Sequence, residues 1–238
     1  MTTSDAGPVT GYVLHTRKYH DTSLIVEFFS RDQGRCSLLF KGIRRQQKKQ
    51  LSHRAELHLF RKLSVQRLSR GELAAAKILE NLGDYAPLVG QAAIVGLYVN
   101  ELIYRLVGRF EVQSSLFDAY DRLIQTLRVK PLDLKALRIF ELAMLAELGF
   151  GIDFRFDAGR QAIIKTDWQY DFYPEQGFRA LARSDDEGYS GADLIALDDG
   201  VMTDQGAKIV KLVVRQVVHH LLGGRPLKSR DLLEYPQA

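Results

Sequence analysis

Five positive charges fall within nine residues, at Lys41, Arg44, Arg45, Lys48 and Lys49, with no acid among them and little apolar content. Such a run neutralises a polyanion. Each cation that meets a backbone phosphate releases a condensed counterion, and no base need be read. Arg17, Lys18 and Arg35 lie just upstream and extend the same character. Residues 1–80 hold 15 Lys+Arg against 7 Asp+Glu, a balance of +8, whereas residues 150–207 hold 5 against 12, a balance of −7. The overall charge of +4 therefore conceals a basic N-terminal third beside an acidic later segment. That asymmetry places nucleic acid on the N-terminal third; a solvated charged loop is the alternative for the run alone. Tyr19, Phe28, Phe29, Phe40 and Phe60 could supply stacking platforms beside the cations, although an apolar core claims most of them.

Other chemistries are poorly served. Cys36 is the single cysteine, so neither an intramolecular disulfide nor a cysteine-rich zinc site is possible; it fits a reducing cytosol. It lies mid-strand with no local His or acid to activate it and reads as a half-buried structural thiol. His219 and His220 are adjacent on a helix and diverge by roughly 100°, which prevents both from ligating one metal. Asp185-Asp186-Glu187 and Asp198-Asp199 could hold Mg²⁺ as in nucleases, but they lie in a polar, Gly-containing stretch that reads as solvated loop. Gly223-Gly224-Arg225-Pro226-Leu227-Lys228-Ser229 lacks the preceding strand and the Gly-Lys-Ser/Thr opening of a phosphate loop. No catalytic residue, metal or cofactor is expected. The start of the chain does not read as a signal peptide, and no apolar run approaches the roughly 18 residues that span a bilayer.

The elements that position these residues fall into three regions. Residues 8–80 read as strands at Val9–Leu14, Leu24–Phe29, Arg35–Phe40, Glu56–Phe60 and Leu63–Leu68, with Arg31-Asp32-Gln33-Gly34 as a turn. Five short strands in about 70 residues suit a small closed barrel, either an OB-fold or an SH3-like barrel. Residues 88–150 switch to a helical period. Ala92, Val95, Val99, Leu102, Leu106 and Phe110 mark a first helix, and Leu116–Leu127 a second. The third carries Pro131 in its first turn and stops at Gly149. It reads as a core helix, apolar most of the way round. Residues 151–202 are irregular, acidic and short-stranded. A last helix over 203–222, capped by Thr203 or Asp204, ends at Gly223-Gly224 and packs back on the earlier helices. The fold class is α+β, with a barrel over 1–82 and a helical domain over 83–238 carrying 151–202 as an insert.

Several segments together are familiar. Gly11-Tyr12-Val13-Leu14-His15 to Thr22-Ser23-Leu24, Gly34-Arg35 and Lys41-Gly42-Ile43-Arg44-Arg45 resemble the opening of the bacterial RecO family. Leu97–Leu102, Leu137–Leu142, Leu148-Gly149-Phe150-Gly151 and Pro226-Leu227-Lys228-Ser229-Arg230 resemble its later segments, in the family's order. The resemblance implies an N-terminal OB-fold, a helical domain and a small insert. It also implies binding of single- and double-stranded DNA, annealing of complementary strands, and loading of RecA onto strands coated by the single-stranded DNA-binding protein. RecR, and in some bacteria RecF, are the implied partners. Many members bind zinc through two C-x-x-C pairs in the insert; this chain has no cysteine between Gly151 and Met202, so a zinc-free insert is expected, cored around Trp168, Phe172 and Phe178. The coating protein's acidic tail, ending in a Phe carboxylate, needs an apolar pocket with a cation at its mouth. Lys135 and Arg138, three residues apart beside Leu134 and Leu142, offer one. An internal pair of Arg138 with Glu141 or Glu101 is the alternative. Two rival functions remain: a metal-dependent nuclease using the acidic 185–199 region, and an RNA-binding module.

Overall fold

A computed structural model describes residues 7–43, 57–83, 87–131, 133–182 and 187–234. The chain divides into two compact units, Met1–Leu132 with Leu227–Ala238, and Asp133–Pro226.

The first unit opens with strands β1 (Val9–Tyr19), β2 (Ser23–Ser30), β3 (Gly34–Phe40), β4 (Lys62–Arg67) and β5 (Leu73–Asn81). They close into a barrel in the order β1-β2-β3-β5-β4, with β3 and β5 parallel. This crossed-over, closed arrangement is OB-like and decides between the two barrels that strand spacing alone left open. Alternate residues point inward, and Val9, Val13, Val26, Phe28, Cys36, Leu38, Leu63, Val65 and Ala74 fill the interior. Two strand assignments differ from the sequence reading. Residues 57–60 form a turn rather than a strand, with Phe60 in the left-handed region at φ 65°. The fifth strand is instead Leu73–Asn81, an Ala-, Lys- and Glu-containing segment whose intrinsic preference is helical. Pairing with both β3 and β4 overrides that preference.

Helices α1 (Gly90–Leu106) and α2 (Ser114–Val129) complete this unit with the short α6 (Lys228–Glu234). Glu101 on α1 receives the backbone N–H of Lys228 at 3.0 Å and both the N–H and hydroxyl of Ser229 at 2.8 and 2.7 Å. Partial burial works against the charged carboxylate, but these bonds prevail and hold it below its ordinary range. The Leu227-Lys228-Ser229 segment is thereby docked on α1.

In the second unit, α3 (Leu134–Glu147) packs against α5 (Asp204–Leu221). Asp133 and Thr203 cap them by accepting from Ala136 N and Gly206 N. Pro131 thus precedes the cap rather than opening the helix. α3 is apolar most of the way round but not buried on every side: Leu137, Phe140, Met144 and Leu145 are buried, while Ile139 is 59% exposed. The insert between them forms a sheet, ordered β10 (Tyr189–Ser190), β8 (Gln169–Tyr173), β9 (Gly177–Ala180), β6 (Phe156–Asp157), β7 (Ala162–Ile163), followed by α4 (Gly191–Asp198). Phe178 is its centre, with ring centroids of Phe154, Phe172 and Tyr189 at 5.7, 4.9 and 5.9 Å. Trp168 is not among them. It is half-buried beneath Arg160 and Lys165, 4.0 and 4.6 Å from its ring. Among the described residues no group of three or more His, Cys, Asp or Glu could hold a metal, and no helix is long and apolar enough to cross a membrane.

Candidate nucleic-acid interface

The ladder register sorts the basic residues onto faces. Arg17 lies opposite Ile25, which lies opposite Leu39; Tyr19 lies opposite Ser23. Because Val26, Phe28, Leu38 and Phe40 point into the barrel, their alternates point out. Arg17, Tyr19, Ser23 and Leu39 therefore share the outer face of the β1–β2–β3 ribbon. Lys41, one residue beyond inward-facing Phe40, ends on the same side. Lys18 pairs with Leu24 in the row that finishes on Phe40, which turns it towards the barrel mouth. Arg17, Lys18 and Lys41 are all exposed. Tyr19, His20, Thr22, Ser23, Leu39 and Lys41 line an open cleft of about 470 Å³ at this end.

The other end of the same face is covered. Tyr12 and Phe29 pack against Phe117 and Tyr120 of α2, with ring centroids 5.1–6.0 Å apart. The Tyr12 hydroxyl donates to Asp121 at 2.6 Å, and Lys62 reaches the same carboxylate oxygen at 2.7 Å. Burial, reinforced by that carboxylate, drives the Tyr12 phenol well above its usual range. Burial does the same to Tyr120, whose hydroxyl donates to Asn100, which in turn donates to the Leu14 carbonyl.

Arg35, expected to contact DNA, belongs to this covered end. It is 9% exposed. Its Nε donates to the Val107 carbonyl at 3.0 Å and its Nη1 to Glu27 at 3.2 Å. Ser37 donates to the other Glu27 oxygen at 2.6 Å, and Arg109 lies 3.4 Å from it. Burial and these bonds hold the guanidinium within the protein. Glu27 is the lone charge in an otherwise apolar strand, and a buried carboxylate demands a cation. Gly34 and Gly11 have steric reasons to lack a side chain. Gly34 has φ 65°, and a Cβ there would lie 2.0 Å from the Glu111 carbonyl oxygen; one on Gly11 would lie 2.3 Å from that of Phe29.

The remaining candidates separate in the same way. Arg44, Arg45, Lys48 and Lys49 lie outside the described residues, as do Asp185 and Asp186. Of the five stacking candidates, Phe28, Phe29, Phe40 and Phe60 are buried, and Tyr19 is 37% exposed. Cys36 is fully buried rather than half-buried, and burial pushes its thiol up to about 11. His219 and His220 are exposed; His220 lies 3.2 Å from Glu175. Asp199 lies 3.7 Å from Arg155. On α3, Arg138 is buried and donates to the fully buried Glu141 at 2.5 Å. This is the internal pair given above as the alternative to a partner carboxylate. Lys135 is exposed, 2.9 Å from a still more exposed Asp204.

Comparison with known proteins shows the family. Residues 8–79 match the family described as recombination protein O N terminal, and residues 89–231 the one described as recombination protein O C terminal. A protein named DNA repair protein RecO from Psychromonas ingrahamii is 33% identical over 225 residues, covering 93% of this chain and 95% of its own length. Proteins of the same name from Pectobacterium atrosepticum and Nitrosococcus oceani are 36% and 35% identical, covering 93% and 94% of this chain and 90% and 91% of theirs.

Proposed function

Because the chain belongs to the RecO family of DNA repair proteins and so acts in DNA repair and recombination, we propose that it works there as a mediator which binds DNA through its barrel and anneals complementary strands. The observation that carries this reading is the open outer end of the barrel, where Arg17 and Lys41 project beside the Tyr19 cleft. Residues 1–82 are the nucleic-acid-binding domain in this scheme; residues 83–238 are the helical domain, with 151–202 as its insert. Cations on one surface neutralise the phosphates of two strands, lower their mutual repulsion and so speed pairing. Lys18 at the barrel mouth extends the basic surface, and the sequence continues it through Arg44, Arg45, Lys48 and Lys49. No covalent step is required.

RecR, the single-stranded DNA-binding protein and, through them, RecA are the partners, with RecF in some bacteria; the outcome is RecA loading on coated strands. For the acidic tail of the coating protein, Lys135 is the cation in position, because its exposed pair with Asp204 exchanges at little cost, whereas Arg138 is committed to Glu141. The test is annealing of complementary oligonucleotides with and without the coating protein. Acceleration of both reactions, steeply weakened by salt, is expected. Acceleration of neither rejects the reading, and strand cleavage dependent on a divalent metal replaces it with a nuclease.

A further inference from the structure

Tyr19 is the one described stacking candidate whose ring is left exposed, and it stands at the turn between β1 and β2. His20 follows it in the left-handed region at φ 46°. That conformation turns the chain sharply and sets the His20 ring edge-on to Tyr19, with centroids 4.2 Å apart and planes 74° apart. An edge-on neighbour supports a ring without covering its face. The cleft of about 470 Å³ beside the pair falls within the roughly 300–1,000 Å³ of small-ligand clefts. That volume is of the order a single nucleotide needs. Its lining combines an apolar side chain, Leu39, with the hydroxyls of Thr22 and Ser23 and the cation of Lys41. An apolar side chain, an aromatic ring, small hydroxyl groups and one cation are the complement of a nucleobase with its phosphate. The position is also apt, since the loop joining the first two strands of an OB-like barrel is one of those that bind oligonucleotides.

We infer that this cleft is a subsite for one unpaired nucleotide of a DNA strand, with the base against Tyr19 and its phosphate on Lys41. The inference rests on the proposed DNA binding and adds the property that this binding alone does not supply, discrimination of single strand from duplex. A paired base is stacked inside the helix and reaches Tyr19 only if it is first extruded, at an energetic cost. Phosphate neutralisation by Arg17 and Lys41 treats both forms of DNA alike in kind; the cleft does not.

The experiment titrates the full chain by fluorescence anisotropy with three dye-labelled probes: an oligothymidylate, an abasic strand of equal length, and a duplex. Three proteins are compared: wild type, Tyr19→Leu and Tyr19→Phe. Tyr19→Leu keeps apolar bulk but removes the aromatic face, and it should bind the oligothymidylate about tenfold more weakly, within the range seen when a base–aromatic stack is removed. Its binding to the abasic strand and the duplex should match wild type, and Tyr19→Phe should restore oligothymidylate affinity. Tyr19 is more than a third exposed, so equal thermal midpoints for the three proteins are expected and are measured alongside. Undiminished oligothymidylate binding by Tyr19→Leu, or equal loss on all three probes, overturns the subsite while leaving DNA binding in place. Absence of salt-dependent binding by wild type to every probe overturns the underlying reading instead.

Discussion

The outer face of the β1–β2–β3 ribbon has two ends that carry the same residue types to opposite effect. At the covered end, Arg35 and Glu27 are buried together, bonded to each other, to Ser37 and to a backbone carbonyl. At the open end, Arg17, Tyr19 and Lys41 face solvent beside a cleft. A buried charge is tolerated only when its partners are complete, and removing one partner is costly. An exposed charge contributes little to stability, so it is free to exchange water for a phosphate. A basic residue near a nucleic-acid-binding strand is therefore no evidence of contact by itself; the helices lying over that strand decide. Here α1 and α2 cover one end, and among the described residues Arg17, Tyr19 and Lys41 stay exposed at the other.

The largest effect expected from this comparison is at Glu27. Glu27→Ala leaves the Arg35 guanidinium buried without its carboxylate, and such a loss costs about 3–5 kcal/mol. That is a large part of the roughly 5–15 kcal/mol that holds a domain folded. Urea unfolding followed by circular dichroism measures it. A loss below about 1 kcal/mol would mean that the covered end behaves like surface, and the contrast would fail.

Cys36 gives a second, smaller effect. It lies beside Arg35 on β3 but points inward, and burial pushes its thiol to about 11 from an ordinary 9.0, with Arg67 acting in the opposite direction. The neutral thiol is thus favoured in the folded chain. Its contribution to stability is complete below pH 9.0 and is lost as pH rises through the folded value near 11. Two units correspond to about 2–3 kcal/mol. Cys36→Ala should flatten the alkaline limb of the stability profile between those values; the buried Tyr12 and Tyr120 steepen it further above their ordinary 10.0. Native protein at pH 8 should also resist thiol reagents, and Glu27→Ala should speed labelling by opening the covered end. Rapid labelling of the wild type would show that this end opens readily.

Sequence reasoning reached the barrel, the long helices and the family because those signals are periodic or ordered along the chain. It missed β5, whose Ala-Ala-Ala-Lys core becomes a strand through partners on both sides, a tertiary effect that local propensity cannot report. It misplaced Phe60, where a left-handed backbone at an aromatic residue defies the usual turn chemistry. It assigned Trp168 to an apolar core because size suggests burial, yet two cations cover that ring. For the site, the residue types were legible and the faces were not. Arg17 and Lys18 are adjacent in sequence and diverge in space, because the register and a bulge in β1 between Val13 and His15 set which of them points outward. Arg35 was legible as a cation but not as a buried one, because its cover comes from residues more than 70 positions away.

The smallest expected effect on stability is at the open end, and there it is the absence of change that is informative. Replacing Arg17 and Lys41 together with Ala removes two exposed cations for which no side-chain ion pair is seen among the described residues. Surface changes of this kind shift stability by no more than about 0.5 kcal/mol, so the unfolding midpoint in urea should stay at the wild-type value. DNA binding should respond differently. Each phosphate left without its cation lowers the log–log salt slope for a single strand by roughly 0.7, so the double variant should bind single strands with a visibly flatter dependence on salt. Because neutralising a phosphate carries no base information, oligonucleotides of different sequence should weaken together. Duplex binding should flatten too, by a slightly larger step of roughly 0.9 per phosphate, since these two residues meet backbone rather than an unpaired base. An unchanged slope on both substrates would move the DNA surface elsewhere on the chain, for instance to Arg61, Lys62, Arg67 and Arg70. Lys62 is already held by Asp121 there, and Arg67 donates to Gln33 and to the Gly71 carbonyl. A fall in stability comparable to that of Glu27→Ala would instead erase the distinction between the two ends, because it would mean that the open end is held together by its charges as well.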